Sequence, residues 1–253
     1  MKNSRLLIDG DILAYRTCWA VQSEVEWEDG IVTTDTNLEE LYSQAEMSIE
    51  IWKEKLEVED YEIAFSDPRG KYFRHDIFPD YKGNRKGGRK PLGYKALVKY
   101  LQSTRNSQVL PLCEADDVLG ILATNGTFDR NIIVSIDKDM LSIPGEYYNI
   151  DSGITVKISE KGADYMHLYQ TLVGDSTDNY KGCPGIGPKK ASAMLDIDPS
   201  WDTVAGAFQK AGLTEAEALV QARVAKILRH EDYNFDLEEV ILWKQPTVLN
   251  VVA

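Results

Sequence analysis

The stretch Leu6-Leu7-Ile8-Asp9-Gly10-Asp11-Ile12-Leu13 decides the fold. A short apolar run of strand type ends at an aspartate, a glycine turns the chain, and a helical pattern follows over Ile12 to Val21. The same grammar recurs downstream. Tyr61 to Ser66 forms a second strand that runs into Asp67, and Asn131 to Ile136 a third that runs into Asp137. Between them lie helical segments. In Leu38 to Leu56, the residues Leu41, Ala45, Ile49, Trp52 and Leu56 recur at spacings of three and four, and Ala115 to Thr124 is the next helix. Strands alternating with helices predict an α/β fold, a twisted and mostly parallel sheet flanked by helices. In such a sheet ligands bind at the carboxyl ends of the strands. Asp9, Asp67 and Asp137 are therefore expected on one edge. A single strand-end aspartate is ordinarily a helix cap; the same residue closing three strands calls for another explanation.

More acids join them. Glu114-Ala115-Asp116-Asp117 opens a helix, where negative side chains suit the dipole, but three acids exceed what one cap needs. Asp137-Lys138-Asp139 places two carboxylates on the same side of an extended segment. Gly174-Asp175-Ser176-Thr177-Asp178 places two more on one face of a helical turn. If these groups converge, the site holds Asp9, Asp67, Glu114, Asp116, Asp117, Asp137, Asp139, Asp175 and Asp178. So many carboxylates cannot all stay ionised together without counter-charge. Two divalent cations would supply it. An all-oxygen donor set without a Cys/His cluster favours Mg²⁺, with Mn²⁺ as substitute, over zinc. Two such ions can activate a water and clamp the attacking and leaving oxygens of a phosphoryl transfer. Asp11 points differently in the turn and is expected as an outer-shell group or N-cap.

The formal charge of −13 argues against a nucleic-acid partner only if its distribution is ignored. From Tyr81 to Arg105 there are eight basic residues and no acidic one. Lys82, Arg85, Lys86, Arg89 and Lys90 are the expected phosphate contacts, with Lys82 and Arg85 one turn apart on a helix. Interleaved Tyr81, Tyr94 and Tyr100 are expected to stack on bases. This basic segment, residues 76–105, is expected to project as helix, turn and helix from an α/β core spanning 1–160. Residues 161–253 are mainly helical, with candidates at Tyr165 to Val173, Lys189 to Leu195, Trp201 to Ala211 and Thr214 to Leu228. Gly182-Cys183-Pro184-Gly185-Ile186-Gly187-Pro188-Lys189-Lys190-Ala191 is a helix-hairpin-helix pattern inside 181–195. Gly185 and Gly187 let the backbone approach a phosphate, the next helix presents free N–H groups to it, and Lys189 and Lys190 add charge.

Cys18, Cys113 and Cys183 are too few and too widely spaced for a disulfide framework or zinc knuckle. No apolar stretch could span a bilayer and the N-terminal residues lack a signal-peptide core, so a cytoplasmic protein with no membrane partner is expected.

In their order along residues 6–195 these motifs resemble the flap endonuclease and 5′-nuclease superfamily, which includes the 5′-nuclease domain of bacterial DNA polymerase I. Ile8-Asp9-Gly10, Asp67, Tyr81-Lys82-Gly83-Asn84-Arg85, Glu114-Ala115-Asp116-Asp117, Asp137-Lys138-Asp139, Gly174-Asp175-Ser176-Thr177-Asp178 and the glycine hairpin carry the likeness. Asp9-Gly10-Asp11, Lys90-Pro91-Leu92-Gly93-Tyr94 and the tail from Ala225 to Trp243 resemble more narrowly the 5′–3′ exonucleases of short-tailed T-odd bacteriophages. The resemblance implies a helical arch over a two-metal site. Asp9, Asp67, Glu114, Asp116 and Asp117 would serve one ion; Asp139, Asp175 and Asp178 would serve the other, with Asp137 between them. Lys82 and Arg85 would contact the scissile phosphate, Tyr81 would stack near the terminal base, and the hairpin would hold duplex, with K⁺ on its carbonyls. It further implies a monomeric 5′–3′ exonuclease acting on DNA with a 5′ end in the host cytoplasm, with flap cleavage and primer removal from RNA–DNA hybrids, alone or beside replisome proteins. Two other readings are weaker. A ribonuclease of the related PIN fold needs fewer acids and no glycine hairpin. A catalytically dead DNA-binding scaffold should have lost some of the acids.

Overall fold

The computed structural model describes residues 3–85 and 89–246. Lys86, one of the expected phosphate contacts, lies outside the described residues. The chain runs β1 (Ser4–Asp9), α1 (Gly10–Val21), β2 (Ser23–Glu26), β3 (Val32–Asp35), α2 (Leu38–Leu56), β4 (Asp60–Phe65), α3 (Phe73–Ile77), α4 (Tyr94–Thr104), β5 (Ser107–Val109), α5 (Ala115–Ala123) and β6 (Arg130–Ser135). It continues through β7 (Gly145–Asn149), β8 (Ile154–Ile158), α6 (Glu160–Val173), α7 (Pro188–Leu195), α8 (Trp201–Lys210), α9 (Glu215–Ala225), β9 (Tyr233–Asn234) and β10 (Glu239–Val240).

The main sheet has the strand order β5-β4-β1-β6-β7-β8, and all neighbours are parallel except β8 on β7. The first strand is thus central, with Ile8 level with Ile63 of β4 and Val134 of β6. Alternation along β1 sends side chains to two different cores. Leu6 and Ile8 pack with Ile63, Phe65, Ile132 and Val134 under α1, α2 and α4. Leu7 packs with Ala64 and Ile133 under α5. A third cluster joins α6, α7, α8 and α9 through Leu172, Leu195, Phe208 and Ala218. Gly10 is required where α1 crosses β4, because a Cβ there would collide with the Phe65 ring, the Ala64 carbonyl and Ile63. That close crossing holds the end of β1 against the neighbouring strand.

Three features depart from the sequence expectations. The β2–β3 hairpin, β5, β7 and β8 are strands that the sequence reading does not assign. The segment around Lys82 is a run of turns, with α3 before it and α4 after it, so Lys82 and Arg85 do not sit on a helix. Finally, the chain after α9 returns to the sheet. Ile227, Leu228 and Tyr233 share a core with α5 and β1, so the helical half is stitched to the α/β half by its own tail. Among the described residues no helix is long and apolar enough to cross a membrane.

Candidate active site

At the carboxyl edge of the sheet, Asp9, Asp11, Glu114, Asp116 and Asp137 line one cleft with Lys82, Arg85, Lys90, Tyr72 and Tyr94. Each acid is placed by an element end. Asp9 closes β1 and caps α1, accepting from the Ile12 N–H at 3.0 Å. Its other oxygen accepts from Ser135 Oγ at 2.7 Å, which ties the end of β1 to the end of β6. Asp137 follows β6 and caps the short 3-10 turn over 138–142 by accepting from the Asp139 N–H at 2.8 Å. Glu114 caps α5, and Asp116 lies in its first turn.

The electrostatics are those of crowded acids. Burial, with the Asp11 and Asp137 charges, raises the Asp9 carboxyl to about 7 against the hydrogen bonds from Ile12 and Ser135. Burial and the charges of Asp9, Asp137 and Glu114 raise Asp116 well above the ordinary range. Glu114 behaves oppositely. Burial pushes it up, but Arg74, Lys82 and Tyr81 outweigh burial and hold it low.

A second group lies beyond Asp137. Burial, Asp137, Asp175 and Asp178 raise Asp139 to about 7, with Lys138 opposing. Asp175 and Asp178 sit in the loop after α6, whose ends meet through the paired Asp175 and Tyr180 backbones. Gly174, at φ 72°, packs its Cα against the Lys181–Gly182 backbone, where no side chain fits. One cation bridges the groups, Lys82, whose Nζ pairs with Glu114 and lies 3.7 Å from Asp178, and Arg85 joins it at Asp178 at 2.6 Å. Lys82 is held for this at φ 55°, with its N–H donating to the Asp178 carbonyl at 2.9 Å.

Four expectations need correction. Asp67 is not among the cleft residues: Arg69 chelates it at 2.6–3.0 Å, the Leu112 N–H donates to it, and Arg69 holds its carboxyl down at about 2. Asp117 is fully buried and turned away. Both its oxygens are engaged by Arg74, and it also accepts from the Glu114 and Leu228 N–H groups. Neither carboxylate is free to take a cation in this arrangement. Tyr81 does not offer a face to a base, being only 4% exposed. Its hydroxyl lies 2.7 Å from Glu114 Oε2 and 2.9 Å from Asp178 Oδ2, so its single proton links one acid of each group. Tyr94 and Tyr100 are likewise engaged: Tyr94 donates to Asp11 at 3.0 Å, and Tyr100 stacks on Tyr42 at 4.2 Å. Each tyrosine serves its own hydrogen bond or ring contact inside the fold, which a count of interleaved aromatics does not reveal.

Arg74 was missed by sequence reasoning. It is 3% exposed and bonds Asp117, Glu114 and the carbonyls of Val224 and Lys226, joining the site to the tail after α9. Its only sequence signal was a cation between the apolar Phe73 and Ile77.

The glycine hairpin is exposed. Gly185 has φ 75°, Gly187 caps α7 ahead of Pro188, and a Cβ at either glycine would meet nothing. Lys189 and Lys190 are exposed there, with Lys190 Nζ on the Gly185 carbonyl at 2.9 Å. The segment 76–105 does not project throughout, because Leu97 and Leu101 of α4 are buried in the main core; Arg89 and Lys90, between α3 and α4, are exposed, Lys90 resting over the Tyr94 ring at 3.9 Å.

The donors fit divalent oxygen-seeking ions. The acids are all carboxylates, and Asp9, Asp116 and Asp139 are forced toward protonation by burial and by neighbouring acids, Asp137 among them in each case, the condition a bound cation relieves. Among the described residues no three of them form a ready-made cage, because Lys82, Arg85 and Tyr81 occupy Glu114 and Asp178.

Comparison with known proteins agrees. Residues 4–167 match the family described as 5′-3′ exonuclease, N-terminal resolvase-like domain. The chain is 28% identical to the exodeoxyribonuclease of Enterobacteria phage T3 over 94% of this chain and 92% of that one. It is also 28% identical to the flap endonuclease Xni of Shewanella oneidensis, over 87% and 85%. The structure of the T5 D15 protein co-crystallised with metal ions superposes with a TM-score of 0.68 at 14% identity, covering 88% of this chain and 89% of that one. With about two thirds of its length matched by the family and the carboxylates gathered at the sheet edge, the chain belongs to the 5′-3′ exonuclease family and is a 5′-nuclease.

Proposed function

We propose that this nuclease hydrolyses phosphodiester bonds from the 5′ ends of duplex DNA and at 5′ flaps, using Mg²⁺ held by Asp9, Asp116 and Glu114 on one side and Asp139, Asp175 and Asp178 on the other, with Asp137 between them. One observation carries the reading: acids from three separate elements line a single cleft that Lys82, Arg85 and Lys90 also line. Divalent ions there would activate water and offset charge on the phosphate. The protein's own part is positioning. Lys82 and Arg85 lie between the carboxylate groups and are placed to shift onto a phosphate when cations replace them at Glu114 and Asp178. The exposed hairpin at Gly185 to Lys190 suits the duplex backbone, with K⁺ as a further ligand of its carbonyls. RNA–DNA hybrids are a second substrate in this reading. The enzyme acts as a monomer, alone or beside replisome proteins. A duplex labelled at either end, incubated with and without Mg²⁺, tests this reading. Release of short products only with Mg²⁺ is expected, and equal cleavage in EDTA would contradict it.

The duplex-holding role gives a separate outcome. Lys189→Ala with Lys190→Ala should weaken duplex binding and flatten its log–log salt dependence by up to about two units, one for each lost phosphate contact. Binding titrations at several salt concentrations measure this, and an unchanged slope would move the duplex elsewhere.

Metal linkage sets a pH dependence. Asp9 and Asp139 titrate near 7 in the folded chain, above the ordinary 3.8. The folded state therefore holds protons that the unfolded state releases, and this stability is fully present below about 4 and lost as pH rises through about 7. Mg²⁺ should raise Tm, since it binds only the folded site. The increment should be larger at pH 8 than at pH 5.5, where protons compete. Thermal melts at both pH values check the order, and a larger increment at the lower pH would exclude these carboxylates as ligands.

A further inference from the structure

Asp139, in the second carboxylate group, is met by one neutral side chain. Gln170, on α6, donates from Nε2 to Asp139 Oδ1 at 2.6 Å. The amide is 8% exposed, on the side of α6 that packs against the 3-10 turn carrying Asp139. Its orientation is dictated by chemistry: the flipped amide would set its oxygen against a carboxylate. The same amide leaves Oε1 buried without a hydrogen-bond partner among the described residues. A buried carbonyl oxygen without a donor costs about 1–3 kcal/mol, so its persistence calls for a partner.

We propose that Gln170 is a positioning residue for the second metal: its Nε2–H fixes the Asp139 carboxylate, and its Oε1 accepts from a water in the ion's hydration shell. Two further observations point the same way. The backbone N–H of Asp139 is spent on Asp137, so it cannot orient its own side chain. Lys138, the nearest cation, pairs with Asp175 rather than with Asp139. Asp139 therefore depends on Gln170 for side-chain orientation. A neutral donor also suits the place better than a cation would. It orders the carboxylate without adding a positive charge that opposes the incoming ion. Mg²⁺ keeps several waters when bound by one or two carboxylates, and such waters need acceptors on the protein side. Partners of this kind commonly change metal affinity about 10–100-fold when removed. Gln170 lies in the last turn of α6, five residues before Asp175 in the loop that follows, so the end of this helix sits beside both acids.

The inference rests on the reading of Asp139 as a metal ligand. The test is calorimetric titration of the metal-free protein with Mn²⁺, for wild type and Gln170→Met, which keeps the length and loses both hydrogen bonds. Wild type should show two sites. In the variant one site should weaken about tenfold or more while the other is unchanged. Steady-state cleavage should show kcat falling with KM for DNA unchanged, and Tm of the metal-free protein should hold within about 2 °C. Two unchanged Mn²⁺ affinities would overturn the role of Gln170 and leave the metal reading intact. Equal weakening of both sites together with a lower metal-free Tm would show a merely structural residue and overturn it too. No Mn²⁺ binding by wild type would instead overturn the metal reading itself. If Gln170→Met does not fold, Gln170→Leu gives the same titration and the same outcomes decide.

Discussion

Asp137→Asn is expected to lower kcat by about a thousandfold or more, while affinity for DNA in Mg²⁺ holds or tightens. Asp137 stands between the two carboxylate groups: its charge raises Asp9 and Asp116 on one side and Asp139 on the other. Asparagine keeps the shape and the cap on the Asp139 N–H but removes the charge that a shared cation needs. Loss of one preorganised electrostatic partner at a reacting phosphate costs about a hundred- to a thousandfold, and a ligand shared by both ions should fall at or beyond the upper end. Affinity is not expected to fall, because one negative charge near the phosphates has gone. Single-turnover cleavage and equilibrium binding separate the two effects. More than a few per cent of wild-type turnover would contradict the assignment.

The second large effect is on stability. Arg74→Met should cost about 3–5 kcal/mol, because it strands Asp117, fully buried, and most of the compensation of Glu114. The loss also frees the carbonyls of Val224 and Lys226, so the tail after α9 loses its tie to the site. For a chain of this size that corresponds to a Tm lower by roughly 6–20 °C. Thermal denaturation checks it. A Tm within about 2 °C of wild type would mean that the Asp117 charge is compensated by something other than Arg74. Adding Asp117→Asn to Arg74→Met should recover part of the loss, since a neutral amide tolerates burial without a cation.

The fold was legible because β1, β4 and β6 each pair a buried apolar run with an aspartate at the exit, and because the helices between them have clean periodicity. Asp9 and Asp137 were legible for the same reason. Asp67 obeys the same pattern, and Asp117 stands with Glu114 and Asp116 at the opening of α5, yet both point elsewhere. What decides between cleft and clamp is an arginine, Arg69 two residues on from Asp67 and Arg74 forty-three residues before Asp117, and spacing along the chain does not show which carboxylate an arginine reaches. The tyrosines failed likewise. A buried hydroxyl must find a partner, and Tyr81 and Tyr94 found acids of the site itself. The β2–β3 hairpin escaped notice because its strands are exposed on both faces, so no alternation marks them. Gln170 escaped because a neutral amide in a helix has no signature until the carboxylate opposite is seen.

The central claim is cleavage from 5′ ends, and end-blocking tests it most directly. Lys82, Arg85 and Lys90 line the cleft, and the exposed glycine hairpin lies a few residues beyond Asp178 in the chain. The proposed path takes a strand end between these cations and the acids, where a bulky adduct would block it. Duplexes bearing biotin at the 5′ or at the 3′ termini, each with and without streptavidin, should be digested in Mg²⁺ and sampled over time. Streptavidin on the 5′ ends should slow cleavage strongly, and the same block on the 3′ ends should leave it unchanged. Protection by the 3′ block with free digestion past the 5′ block would contradict the account, even if every metal ligand proved correct.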